Sequence, residues 1–183
     1  MIVQWKKSGL RQTVIDRHFN QERTLVMSKR PFDTVSDMND TMIRNWNRNV
    51  GKDDVVFILG DFGDYNYAQY LNGTKILIPG NYEKVDTLEE IKKHDFFLVT
   101  DDKYTIEYRG YTLNMVHEPS LLNKQYMEED EINLFGHVHK LCMIKRFGIN
   151  VGTDCHNFTP IDFDTVLFYA GGIREYYDFE VFM

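Results

Sequence analysis

Apolar and polar positions along the chain alternate with two different periods. Val35, Met38, Met42, Ile43 and Trp46 recur at spacings of three and four, which predicts an amphipathic helix from Asp33 to Val50 with one apolar stripe. Asp33 or Ser36 is placed to cap its start, and Gly51 follows its end. Met38, Met42 and Trp46 are read as core. Val55-Val56-Phe57-Ile58-Leu59 is instead continuously apolar and of strand length, the pattern of a strand covered on both faces. Thr13 to Ile15, Lys75 to Ile78 and Ile132 to Phe135 predict further strands, and a β-rich stretch begins at Phe96. Tyr104 to Tyr108 and Tyr111 to Val116 flank Arg109-Gly110 as the arms of a hairpin, and Cys142 to Phe147 with Ile149 to Val151 suggest a second one around Gly148. Asn66 to Asn72 reads as a short helix with an Asn cap, stopped by Gly73. Asp86-Thr87-Leu88-Glu89 has capping-box spacing and opens a helix to about Lys93. Met1 to Lys7 is an edge strand or a loose start, Asp162 to Tyr169 a helix or a strand, and Tyr176 to Met183 an aromatic strand or tail.

Composition narrows this picture. The 183 residues are 43% hydrophobic and 14% aromatic, so a single globular domain over 1–183 with a sizeable core is expected. The net charge of -7 argues against a general grip on duplex nucleic acid, which needs clustered Lys and Arg. The two cysteines, Cys142 and Cys155, lack metal-type spacing and read as reduced thiols of a cytoplasmic protein. No run is long enough to span a membrane, and Met1 to Leu10 has no signal-peptide core.

The chemistry lies where the strand-like runs end. Five of them run into metal-ligand side chains: Asp16 and His18, Asp61, Asn81, His117, and His137 with His139. Taken alone, Asp16 is a turn aspartate and His18 a surface or capped histidine. Together, the coincidence matches the rule that open α/β sheets bind ligands beyond the carboxyl ends of their strands. The set comprises two carboxylates, one amide and four imidazoles, so thiolate-preferring sites are excluded while Mn, Fe, Zn, Ni or Co stay open. Seven ligands exceed the need of one tetrahedral ion, which implies two divalent metal ions.

These blocks, Asp16-Arg17-His18, Gly60-Asp61, Gly80-Asn81-Tyr82, His117 and Gly136-His137-Val138-His139, resemble in order and type those of the calcineurin-like metallophosphoesterase superfamily. Arg30-Pro31-Phe32, Asn45-Trp46-Asn47 and Asn150-Val151-Gly152-Thr153-Asp154 are similar to segments of its small stand-alone bacterial and phage members. The resemblance implies an α/β fold in the form of a four-layer α/β/β/α sandwich. It implies one metal on Asp16, His18, Asp61 and His139 and a second on Asp61, Asn81, His117 and His137, with Asp61 bridging. It also implies hydrolysis of phosphodiesters or phosphomonoesters of nucleotides or small phosphoesters by a bridging hydroxide.

Two positions depart from the family pattern. Tyr82 stands where the family has a histidine that contacts phosphate and protonates the leaving oxygen; a phenol, with an ordinary pKa of about 10, is a poorly matched acid near neutrality. His18-Phe19-Asn20-Gln21 replaces a block that ends in a second histidine. Metal binding is expected to survive both changes, with slower turnover of poor leaving groups. Arg17 and Arg30 are read either as phosphate-holding residues or as surface or salt-bridged ones, and His156 as a possible replacement acid. The competing readings are a weakly active or inactive binding module on the same fold, and a nuclease or protein phosphatase.

Overall fold

A computed structural model describes residues 3–4, 12–15, 18–83 and 88–176. The chain runs through β1 (Val3–Gln4), β2 (Gln12–Ile15), α1 (Glu22–Met27), α2 (Val35–Asn49), β3 (Val55–Leu59), β4 (Thr74–Ile78), α3 (Leu88–Ile91), β5 (Leu98–Val99), β6 (Lys103–Tyr108) and β7 (Tyr111–Val116). It continues through β8 (Glu131–Phe135), β9 (Ile144–Lys145), β10 (Gly148–Asn150), β11 (Ile161–Asp162) and α4 (Phe163–Tyr176). Single 3-10 turns occupy Tyr65–Tyr70, Pro119–Leu122 and Thr153–Cys155.

Two sheets form, with strand orders β11-β2-β3-β4-β5 and β1-β6-β7-β8-β10-β9. In the first, β2, β3, β4 and β5 are parallel and β11 is antiparallel. In the second, β7, β8 and β10 are parallel, β9 runs against β10, and β6 runs against β7 but parallel to β1. The continuous apolar run of β3 explains the layering. Val55, Phe57 and Leu59 enter a core between the sheets, where Ile76, Leu113, Ile132 and Leu134 meet them. Val56 and Ile58 point the other way, onto the stripe of Met38, Met42 and Trp46 on α2. Val116 and Phe135, on the far side of the second sheet, pack with Leu122, Val138, Cys142 and Phe147 from turns and loops. The fold is thus a mixed α/β arrangement of two facing sheets. Helix α4 touches β2 and β11 of one sheet and β9 and β10 of the other, and its Phe163, Val166, Ala170 and Ile173 complete the central core.

Several boundaries differ from the sequence expectation for local reasons. Thr34 caps α2, its hydroxyl accepting from Asp37 N at 3.1 Å, in place of Asp33 or Ser36. Tyr65–Tyr70 is a 3-10 helix capped by Asp64, because Asp64 Oδ1 takes Asn66 N at 3.0 Å two residues before an Asn66 cap would act. The second hairpin turns at Arg146-Phe147, and Gly148 lies inside β10, where a Cβ would sit 2.7 Å from Asn133 O. Asp162 ends a strand and α4 begins directly after it, so the closing segment is both strand and helix. The 86–87 half of the capping box and the 177–183 tail lie outside the described residues.

Candidate metal centre

Parallel pairing sets where the polar side chains emerge. β3 and β4 pair in register to Leu59↔Ile78, and β7 and β8 pair to Met115↔Leu134, so within each sheet these carboxyl ends finish side by side. The segments that follow them are drawn into close contact by glycine. A Cβ on Gly60, whose φ is +75°, would lie 2.5 Å from Gly80 Cα; one on Gly80 would lie 2.6 Å from Asp61 Oδ1 and 2.7 Å from Asp61 N. Glu83 completes the clamp. Its buried carboxylate accepts from Asp61 N, Phe62 N and Gly80 N, each at 2.8 Å. Burial pushes the Glu83 carboxyl above its usual range against the pull of those three donors.

Asp61, Asn81, His117 and His137 meet at this junction. His117 Nε2 lies 3.3 Å from Asp61 Oδ2, 2.9 Å from the Asn81 amide and 3.1 Å from His137 Nδ1. The other nitrogen of His117 donates to Leu59 O at 2.7 Å, which leaves the Nε2 lone pair facing inward. The amide of Asn81 faces acceptors only; with its nitrogen inward it donates to Asp61 Oδ2 at 3.2 Å, and with its oxygen inward it adds one more lone pair to the cluster. Asp61, His117 and His137 alone offer three ligand atoms within 4.8 Å of one another.

His18 also approaches Asp61, and His139 lies against His18. Their rings stack at 4.9 Å and 12°, and Tyr82 meets the edge of His18 at 5.7 Å. His18 Nδ1 donates to Gln21 Oε1 at 2.9 Å, so Nε2 is the unprotonated nitrogen; it is buried, 3.8 Å from Asp61 Oδ2, with no hydrogen-bond partner among the described residues. An orphaned buried lone pair beside converging acceptors is what a cation would satisfy. Burial lowers the His18 pKa to about 3, with Arg30 and His139 adding to the effect against the attraction of Asp61. Burial also lowers His137. Burial would raise Asp61, but hydrogen bonding and charge from His117, then His18, hold it below the usual carboxylate range. His18 and His137 are therefore held neutral and Asp61 charged, the protonation states that ligation requires.

Backbone conformation marks the same residues. Asp61, His137 and His139 have φ of 47°, 68° and 48°, in the left-handed region. That region costs an L residue roughly 1–2 kcal/mol, and such residues concentrate at functional sites.

The structure thus brings together six of the residues singled out in the sequence: His18, Asp61, Asn81, His117, His137 and His139. Asp16 and Arg17 lie outside the described residues. Arg30 is not a phosphate-holding residue in this structure. Its side chain is buried and forks onto Asp154, Nε to Oδ1 and Nη2 to Oδ2, both at 2.8 Å. His156 does not supply an acid: Nε2 donates to Asn150 O at 2.8 Å, and burial lowers its pKa. Four participants escape the sequence reading: Glu83, Gln21, Ser28 and Asp154. Glu83 directly follows Gly80-Asn81-Tyr82 and was readable there as an acidic neighbour. Gln21 stands where the sequence suggests a lost imidazole, and supplies the acceptor that orients His18. Ser28 carries no signal of its own.

No family model matches the chain. The uncharacterized protein MJ1445 of Methanocaldococcus jannaschii is 28% identical over 169 residues, covering 84% of this chain and 87% of that protein. Among solved structures, the crystal structure of AQ665, a protein of unknown function from Aquifex aeolicus, has a TM-score of 0.70 and 21% identity over 86% of this chain and 98% of that one. The second likeness bears on the fold alone.

Proposed function

We propose that this chain is a metal-dependent phosphoesterase of the calcineurin-like metallophosphoesterase type. Its substrates would be phosphodiesters or phosphomonoesters of nucleotides or small molecules. The observation that carries the reading is the convergence of Asp61, Asn81, His117 and His137, with His18 Nε2, 3.8 Å from Asp61 Oδ2, lacking a hydrogen-bond partner among the described residues. In this reading the two sheets are the middle layers of the four-layer sandwich. One cation would be held by His18, Asp61, His139 and Asp16, the other by Asp61, Asn81, His117 and His137. Bound there, a pair of Mn, Fe, Zn, Ni or Co ions supplies Lewis acidity for phosphoryl oxygens and a water of lowered pKa. The protein's own contribution is to hold His18 and His137 neutral, and the tautomers of His18 and His117 fixed, around an ionised Asp61. Tyr82, whose ring lies 5.7 Å from that of His18, would donate a hydrogen bond to a phosphoryl or leaving oxygen, with little power to protonate it.

The test is hydrolysis of an activated aryl diester by purified protein with each divalent metal. Metal-dependent turnover that vanishes in Asp61→Asn is expected; no turnover with any metal contradicts the assignment. Tyr82 favours a second reading, a phosphoesterase fold kept as a binding module. Tyr82→His separates the two. A gain on alkyl esters selects the enzyme, and metal-loaded but inert protein in both forms selects the module.

A further inference from the structure

His18, His117 and His139 each have Nδ1 held by a neighbouring group, and the holders differ. His117 uses Leu59 O at 2.7 Å and His18 uses Gln21 Oε1 at 2.9 Å, both neutral acceptors. His139 Nδ1 faces Asp154 Oδ2 at 3.3 Å, a carboxylate, with Ser28 Oγ at 3.0 Å. A carboxylate only accepts, so the proton sits on Nδ1 of His139 and the lone pair on Nε2. The carboxylate thereby fixes both the tautomer and the orientation of the ring.

Asp154 is itself held on every side. The fork from Arg30 takes both of its oxygens. Arg30 also reaches Thr153 Oγ1 at 3.4 Å and Met38 Sδ at 3.3 Å, and its guanidinium lies 5.6 Å from the centre of the Phe158 ring. The side chains of Arg30 and Asp154 are 0% and 4% exposed. A buried ion pair is a weak source of stability, since desolvation offsets most of the attraction. Its geometric consequence is specific: a fixed negative charge aimed at the back of one histidine, tied through Met38 to α2 and through Thr153 to the turn after β10.

We infer that Asp154, fixed by Arg30, is a positioning residue that orients His139, and so sets cation affinity on the His18–His139 side of Asp61 separately from the other side. This rests on the metal reading above and adds a division of labour to it: a carboxylate-backed half and a carbonyl-backed half.

Two measurements test it. In metal-free wild-type protein, nitrogen-15 correlation spectra of the histidine rings are expected to show His139 protonated on Nδ1; protonation on Nε2 overturns the inference. Calorimetric titration with Mn then compares the wild type with Asp154→Asn and with a double variant, Arg30→Met with Asp154→Leu, which leaves no buried charge unpaired. The expected result is one of two binding steps weakened about 10–100-fold with the other unmoved. Equal loss at both steps, as a merely structural role would give, or no loss at either, overturns the inference while leaving the metal reading intact. A wild type that takes up no cation removes both.

Discussion

Gly80 shows how much a single position controls. Any side chain there meets Asp61 and the His117 ring at 2.6–2.9 Å, and the Asp61 contact includes backbone that cannot swing aside. Gly80→Ala is expected to cost about 1–3 kcal/mol in thermal or denaturant unfolding through overpacking, and to weaken cation uptake as well. His18 makes a pH prediction. Its pKa falls from 6.5 to about 3 on folding, so between those values the unfolded chain binds the extra proton and stability declines as the solution is acidified. His137 and His156 act in the same sense. Between about pH 7 and pH 5 carboxylates of ordinary pKa stay charged, so the loss in that window belongs to these histidines, opposed only by the raised Glu83, which acts in the contrary sense. Melting curves of metal-free protein should fall across it, and His18→Gln should flatten the dependence. A pH-independent melting temperature would contradict the neutral, buried state of His18. Chemistry-bearing residue types were readable at this scale, but their roles were not always so. Arg30 has the same letter whether it grips a phosphate or a buried aspartate, and only the proximity of Asp154, 124 residues away, decides it.

At the scale of elements, helix α2 and strand β3 were legible because each has a single period that burial enforces. Trp46, fully buried on α2, also donates its indole N–H to Asn72 O at 2.9 Å, which ties the helix to the loop before β4. Trp46→Ala is expected to lower stability by about 3–5 kcal/mol. Trp46→Phe keeps most of the apolar volume and is expected to cost about 1–2 kcal/mol for the lost hydrogen bond. No loss for Trp46→Phe in chemical denaturation would show that the indole donor contributes nothing. Short elements were less legible. The cap of α2 moved by one or two residues to Thr34, and the helix expected from Asn66 tightened into a 3-10 turn, because neighbouring Thr and Asp side chains compete for the same backbone donors. Helix α4 carries apolar residues that serve the central core between two sheet edges, a role no local period distinguishes from an outer layer.

Across the whole molecule, two sheets bring strand ends from distant parts of the sequence to one place. The hydrogen bond from His117 Nδ1 to Leu59 O crosses between the sheets at that place, so the centre also joins them. The strand-end rule made this junction foreseeable, since parallel neighbours must finish on the same side. The clamp of Glu83 and the Arg30–Asp154 pair behind His139 arise only from three-dimensional packing. Among the described residues no helix is long and apolar enough to cross a membrane. A cation that bridges both sheets should stabilise the folded chain by mass action, so added Mn is expected to raise the melting temperature in proportion to the logarithm of its excess over the dissociation constant. The most direct test of the centre is equilibrium titration of metal-stripped protein with Mn, read by calorimetry alongside Asp61→Asn. Two equivalents bound by the wild type, with both steps lost or strongly weakened in the variant, is the predicted result. Failure of the wild type to bind Mn, Fe, Zn, Ni or Co, or uptake unchanged by Asp61→Asn, would contradict it.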